Sequence, residues 1–182
     1  MQQVTAEVIT IGDEILFGQI TDTNTQWLGT ELTAIGIRVV RKTSVGDSAP
    51  AILEVLAEAE RRADVIILTG GLGPTKDDIT KKTLCQFFGT TLQRVPEAEA
   101  MVEAFFVRRG RALTDINRQQ ADLPVGSTYL PNRHGTAPGM WFERGGRVFV
   151  SLPGVPHEMK GLVAEEVLPR LKKQFRTPVI FH

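Results

Sequence analysis

Three observations predict an α/β fold, a mostly parallel sheet with helices on both sides. β-rich runs alternate with stretches of helical periodicity through the first half of the chain. The third run, Asp64-Val65-Ile66-Ile67-Leu68-Thr69, is nearly all apolar, as expected of a central parallel strand covered on both faces. Residues 140–144 and 147–151 flank Gly145-Gly146, a two-residue hairpin signal whose turn needs positive φ and which makes the sheet mixed.

The elements follow in order. Residues 4–11 (VTAEVITI) form a short strand ending at Gly12-Asp13-Glu14. Over 21–35, Leu28, Leu32 and Ile35 share one helical face, and Gly36 is placed to end the helix. Residues 37–45 read as a second strand. Ser48 is positioned to cap the next helix, Pro50 suits its first turn, and Ile52, Val55, Leu56 and Ala59 keep the helical spacing. The apolar third strand runs into Gly70-Gly71-Leu72-Gly73-Pro74, and a helix follows over about 78–88, with Cys85 beside Leu84 and Phe88 on its core face. Ala98, Met101, Val102, Phe105 and Phe106 mark an amphipathic helix, and 115–121 a shorter one. After Pro153-Gly154-Val155-Pro156, a last helix carries Met159, Leu162 and Val163, and Pro169 is expected to break or kink it.

Composition narrows the function classes. The 182 residues suit one domain, placed at 1–175, with 176–182 as a stub or the start of a further segment. Lys+Arg and Asp+Glu number 21 each, so no basic excess points to nucleic acid or an anionic membrane as partner. No apolar run approaches the ~18 residues of a membrane span, and the first residues do not read as a signal peptide. A single cysteine excludes internal disulfides and cysteine zinc sites and fits a reducing, cytoplasmic setting.

The glycine turn is the most informative segment. Gly71-x-Gly73 lacks the third glycine of a dinucleotide fingerprint, since Lys76 stands there, and no Gly-Lys pair precedes Ser or Thr as a Walker A loop requires. What remains is a buried strand, a glycine turn and a helix start, where Gly70, Gly71 and Gly73 can offer backbone amides to phosphate with help from Lys76. A tight turn that needs glycine for geometry alone is the plainer alternative.

Carboxylates surround that turn. Asp13 and Glu14 follow the first strand, Asp47 the second, and Asp77 and Asp78 the third. Asp77 and Asp78 also suit the first turn of a helix, Thr75 and Asp78 fitting a capping pattern. In a flavodoxin-like strand order the first and third strands are neighbours, so the acids would converge on one crevice. Two like charges ~4 Å apart repel by about 4 kcal/mol at an effective dielectric near 20. Lys76, Lys81, Lys82 and Arg133 offset part of this, and a hard divalent cation does so more completely. The expected ligand is therefore a phosphate compound, with Asp13, Glu14, Asp47, Asp77 and Asp78 as candidate metal ligands and Asp47, Asp77 and Asp78 as candidate catalytic groups.

Further candidates for substrate contact are Asn117 and Gln120, two amides within one helical turn that suit a base or sugar; Gly135 and Thr136 in the polar loop 133–139; and Pro153 and Gly154 in a second strand–turn–helix. His134 and His157 lack metal-ligand spacing with each other. The absence of G-x-S-x-G argues against a serine hydrolase.

Several ordered motifs together resemble one family. Residues 7–18 (EVITIGDEILFG), 69–80 (TGGLGPTKDDIT), 135–139 (GTAPG) and 152–159 (LPGVPHEM) are similar to the molybdopterin-binding superfamily (MoaB/MogA-like), and more closely to the amino-terminal domain of the CinA, competence/damage-inducible, family. The resemblance implies a three-layer αβα sandwich and metal-dependent hydrolysis of ADP-ribose to AMP and ribose 5-phosphate. Magnesium, manganese or cobalt is the implied ion, with potassium a further candidate. Relatives instead bind or adenylylate molybdopterin; their turn reads T-G-G-T-G followed by Arg-Asp, where this chain has Leu72 and Asp77, and their important aspartates fall on Asp78 and Asp47. Many CinA proteins carry a second, amidase-like domain, for which this chain is too short. A homo-oligomer, dimer or trimer, is also expected, with the hairpin at Gly145-Gly146 offering an edge strand. The leading expectation is an ADP-ribose pyrophosphatase; the alternatives are a molybdopterin-binding or adenylyltransferase-like protein and a non-catalytic nucleotide-binding module.

Overall fold

A computed structural model describes residues 2–72 and 79–176. The strands are β1 (Thr5–Ile11), β2 (Arg38–Val45), β3 (Val65–Thr69), β4 (Leu92–Arg94), β5 (Asp122–Pro124), β6 (Thr128–Leu130), β7 (Gly139–Arg144) and β8 (Arg147–Leu152). The helices are α1 (Asp13–Leu16), α2 (Thr23–Ala34), α3 (Ala49–Arg62), α4 (Ile79–Phe88), α5 (Pro96–Arg108), α6 (Asp115–Arg118), α7 (Pro156–Leu162) and α8 (Leu168–Gln174).

Six strands form the main sheet in the order β2-β1-β3-β8-β7-β6. The four from β2 to β8 run parallel, and β7 and β6 add antiparallel strands. β1 and β3 are neighbours, in register Thr10↔Thr69, so their carboxyl ends open side by side. Alternation along the strands divides the core. Val65 and Ile67 face a cluster with Leu28 and Leu32 of α2 and Met159 and Leu162 of α7. Ile66 and Leu68 face Ile52 and Leu56 of α3 and Leu84 of α4. Because both faces are apolar, helices must cover both, which gives three layers.

A charge is buried against the sheet itself. Glu7 of β1 is fully enclosed on the α3 side, where Arg62 donates from Nε and Nη2 at 2.8 Å each and Thr43 Oγ1 donates at 3.1 Å. The fork-shaped pairing satisfies a carboxylate that would otherwise be costly to desolvate.

Three expectations need correction. The helix is not broken at Pro169: α7 passes into a π-helical turn (Val163–Val167) and then α8, so the register changes just ahead of the proline, which sits in the first turn of α8, where its missing N–H costs least. Ser48 occupies the cap position of α3, but its side chain makes no capping bond. The hairpin is not a full sheet edge, since β6 covers residues 139–141 of β7; the long uncovered edge is β2. A two-stranded sheet of β4 and β5 and the four-residue α1 are additional elements. Among the described residues, no helix is long and apolar enough to cross a membrane.

Candidate functional site

The carboxyl ends of β1, β3 and β8 meet at a cleft of about 420 Å³, within the size range of small-ligand sites. Its floor is made by Thr10, Thr69, Gly70, Gly71 and Gly154, and its rim includes Glu14, Ile15, Ile20 and Val155. This is where a doubly wound sheet gathers ligands, because the helices on either side of the strand-order reversal diverge there.

Two turns build the floor back to back. Gly70 ends β3 with φ +105°, and a Cβ there would lie 2.2 Å from the carbonyl oxygen of Ile11. Gly71 follows with φ +68°, and its Cβ position lies 2.0 Å from Thr80 Oγ1. The turn after β8 packs against them, a Cβ on Gly154 standing 3.2 Å from Gly70 Cα. Only bare backbone fits at this crossing. The Gly70 N–H is committed to Leu152 O at 3.0 Å. Among the described residues, Gly71 and Leu72 donate to no protein acceptor, so their amides are open to a ligand.

The first turn of α2 supplies the polar side chains. Asp22 caps the helix: Oδ1 accepts from Thr25 N at 3.1 Å and Oδ2 from Thr10 Oγ1 at 2.8 Å, with a further bond from Thr25 Oγ1. Its acceptor capacity is therefore largely spent on structure. Asn24, 8% exposed, donates from Nδ2 to Gly154 O at 2.8 Å and to Thr69 Oγ1 at 3.4 Å, while Thr69 Oγ1 donates to Pro153 O at 3.1 Å. Asn24 thus ties α2 to both glycine turns. Its Oδ1 is buried without a partner among the described residues, which is uncommon for a polar atom. Sequence reasoning passed over Asn24 because it followed only the apolar stripe of α2; the signal lay in the capping run Asp22-Thr23-Asn24 directly opposite the strand ends.

The other candidates are distributed as follows. Asp13 and Asp47 do come together: Asp47 N donates to Asp13 Oδ1 at 3.1 Å and Asp13 N to Asp47 Oδ2 at 3.3 Å. Neither is among the cleft's lining residues, whereas Glu14 is. Gly73, Lys76, Asp77 and Asp78 lie outside the described residues. Among the described residues, no three His, Cys, Asp or Glu side chains assemble as a metal site, so the Asp13–Asp47 pair alone does not make a ligand set for a divalent ion.

Gln120 and Lys81 are buried in a separate small hollow beyond Leu72, and Lys82 is exposed. Gly135 and Thr136 line another crevice with Asn132 and Tyr129. There a Cβ on Gly135 would overlap the Glu158 carboxylate, which accepts from Asn132 Nδ2 at 2.9 Å and is pushed above its ordinary pKa by burial. Asn117 sits on α6, where its backbone N–H donates to the Thr114 cap at 3.2 Å. Arg133 pairs with Glu165 and Glu166, and His134 with Glu165, on the α7–α8 side.

Comparison with known proteins agrees with this architecture. The family model described as "Probable molybdopterin binding domain" matches residues 7–173. A CinA-like protein from Cytophaga hutchinsonii is 54% identical over 97% of this chain and 42% of its own length. A CinA crystal structure from Thermoplasma acidophilum superposes with a TM-score of 0.82 at 34% identity, covering 94% of this chain and 98% of that one. The molybdopterin biosynthesis enzyme MoaB from Thermus thermophilus shares the fold, with a TM-score of 0.62 at 21% identity over 97% of this chain and 99% of its own. The chain spans about two fifths of the length of the curated relatives it matches.

Proposed function

Because this chain belongs to the molybdopterin-binding domain family, as a CinA-type amino-terminal domain, we propose that its cleft binds a phosphorylated heterocyclic compound, a pterin or a nucleotide. The observation that carries this reading is the pair of amides at Gly71 and Leu72, which donate to no acceptor among the described residues and are set in a cleft floor that has no room for side chains. Successive N–H groups of this kind suit phosphate oxygens. The apolar rim of Ile15, Ile20 and Val155 suits the flat face of a ring, with Ile20 57% exposed and Val155 45% exposed. The unpartnered Oδ1 of Asn24 adds an acceptor at the floor. Calorimetric titration with molybdopterin, ADP-ribose and inorganic pyrophosphate tests the reading. Saturable binding to the wild type, weakened in Gly71→Ala, is expected; no binding of any of the three overturns it.

Hydrolysis of ADP-ribose to AMP and ribose 5-phosphate is a second reading, favoured by the Asp13–Asp47 pairing at the ends of β1 and β2. Release of AMP with magnesium, manganese or cobalt, abolished in both Asp47→Asn and Asp78→Asn, is the expected result. Turnover unchanged in both variants rejects that reading and leaves ligand binding intact.

A further inference from the structure

Gln120 is the most conspicuous polar side chain that the cleft does not absorb. It lies in the 3₁₀ turn Gln119–Ala121 after α6 and is 5% exposed. Its Oε1 and its Nε2 are both buried, and neither meets a hydrogen-bond partner among the described residues. A buried amide with one open valence is unusual, and one with donor and acceptor both open is more so.

The hollow that Gln120 lines is walled by Leu72, Lys81, Leu123, Pro138 and Met140 and holds about 10 Å³, room for roughly one oxygen atom. Leu72 is at the same time a wall of the cleft, so hollow and cleft adjoin across one side chain. Lys81, whose Nζ donates to Gln119 O at 2.9 Å, brings positive charge to the wall. The chemistry of the missing partner follows from these limits. A ring is too large. A phosphoryl or carbonyl oxygen only accepts, and an ammonium group only donates. A hydroxyl does both with a single heavy atom, as does a water molecule, and binding with and without the sugar hydroxyls separates the two.

We propose that the Gln120 hollow receives a sugar hydroxyl of the ligand bound in the cleft, which makes Gln120 a specificity-determining residue. This rests on the cleft being a site for a phosphorylated ligand. The test compares wild type with Gln120→Met, which keeps length and removes both polar atoms. ADP-ribose should bind the variant about tenfold more weakly, a loss the size of one hydrogen bond. Inorganic pyrophosphate, which has no sugar, should bind both proteins equally. Unchanged ADP-ribose affinity, as a trapped water in the hollow would give, overturns the proposal, and so does an equal loss for pyrophosphate. Independently of any variant, wild-type protein should bind an ADP-ribose analogue with its ribose hydroxyls replaced by hydrogen about tenfold more weakly than ADP-ribose; equal binding overturns the proposal. Wild type that binds none of these probes removes the cleft reading and this inference together, whereas binding that ignores Gln120 and the hydroxyls removes the inference alone.

Discussion

Gly70→Ala puts the geometry of the cleft floor to a quantitative test. At φ +105° an L-residue is outside its favoured wells, which costs about 1–3 kcal/mol. The added Cβ would also stand 2.2 Å from the Ile11 carbonyl oxygen, about 1 Å inside an ordinary carbon–oxygen contact of about 3.3 Å. Neither side has an easy way to move. β1 is paired along its length with β2 and β3, and the Gly70 N–H is held by Leu152 O. Forced overpacking adds about 1–3 kcal/mol, so a total near ~4 kcal/mol is expected. For a chain of this size that lowers Tm by about 8–16 °C. Gly145→Ala is the control: φ is +58° at the hairpin turn and nothing lies within 4 Å of the new methyl, which leaves only the left-handed penalty of about 1–2 kcal/mol. Urea denaturation and calorimetry of both variants give the comparison. A Gly70→Ala cost no greater than that of Gly145→Ala would refute the reasoning, since the contact with Ile11 would then carry no energy.

Three further outcomes follow from the same structure. Arg62→Met strips the partner from the fully buried Glu7 and should cost about 3 kcal/mol by urea denaturation, most of it regained in the Glu7→Gln/Arg62→Met double variant; additive losses would contradict this. Glu158 is held above its ordinary pKa by burial, against the opposing Asn132 hydrogen bond and the nearby His157 and His134, so its contribution to stability is complete below the unfolded-state pKa and lost as pH rises through the folded one. Glu158→Gln, which keeps the acceptor for Asn132, should therefore gain on wild type from mildly acidic to neutral pH; a parallel pH profile rules the effect out. Burial pushes Tyr129 up to about 12, and as it is the chain's one tyrosine, phenolate absorbance should rise with that midpoint rather than near 10.

The first half of the fold was legible because its signals are local. The apolar run at 65–68 could only be a strand covered on both sides, and the stripe Ile52-Val55-Leu56-Ala59 could only be a helix packed on one. β4, β5 and β6 carry three residues each, too few to show a period, and they exist because tertiary pairing completes them. The continuation of the helix past Pro169 was likewise out of reach, because a π-helical turn precedes the proline and sequence alone does not announce one. At the site, Gly70 and Gly71 were legible from the β3–glycine boundary; Asp13 and Asp47, expected to converge on the crevice, meet each other but are not among the residues that line it. The role of Asn24 depends on α2 crossing above Gly154, 130 residues away in sequence, and no local pattern encodes that distance.

Amide chemical-shift mapping during titration of the ¹⁵N-labelled chain with ADP-ribose shows where the ligand sits. The account predicts that the largest perturbations fall on the backbone amides of Gly71 and Leu72, accompanied by Asn24 and Gly154 and by the side-chain amide of Gln120. Saturating shifts confined to another surface, such as the groove between α2 and the β2 edge lined by Gln26, Thr30, Arg38 and Lys42, would contradict it.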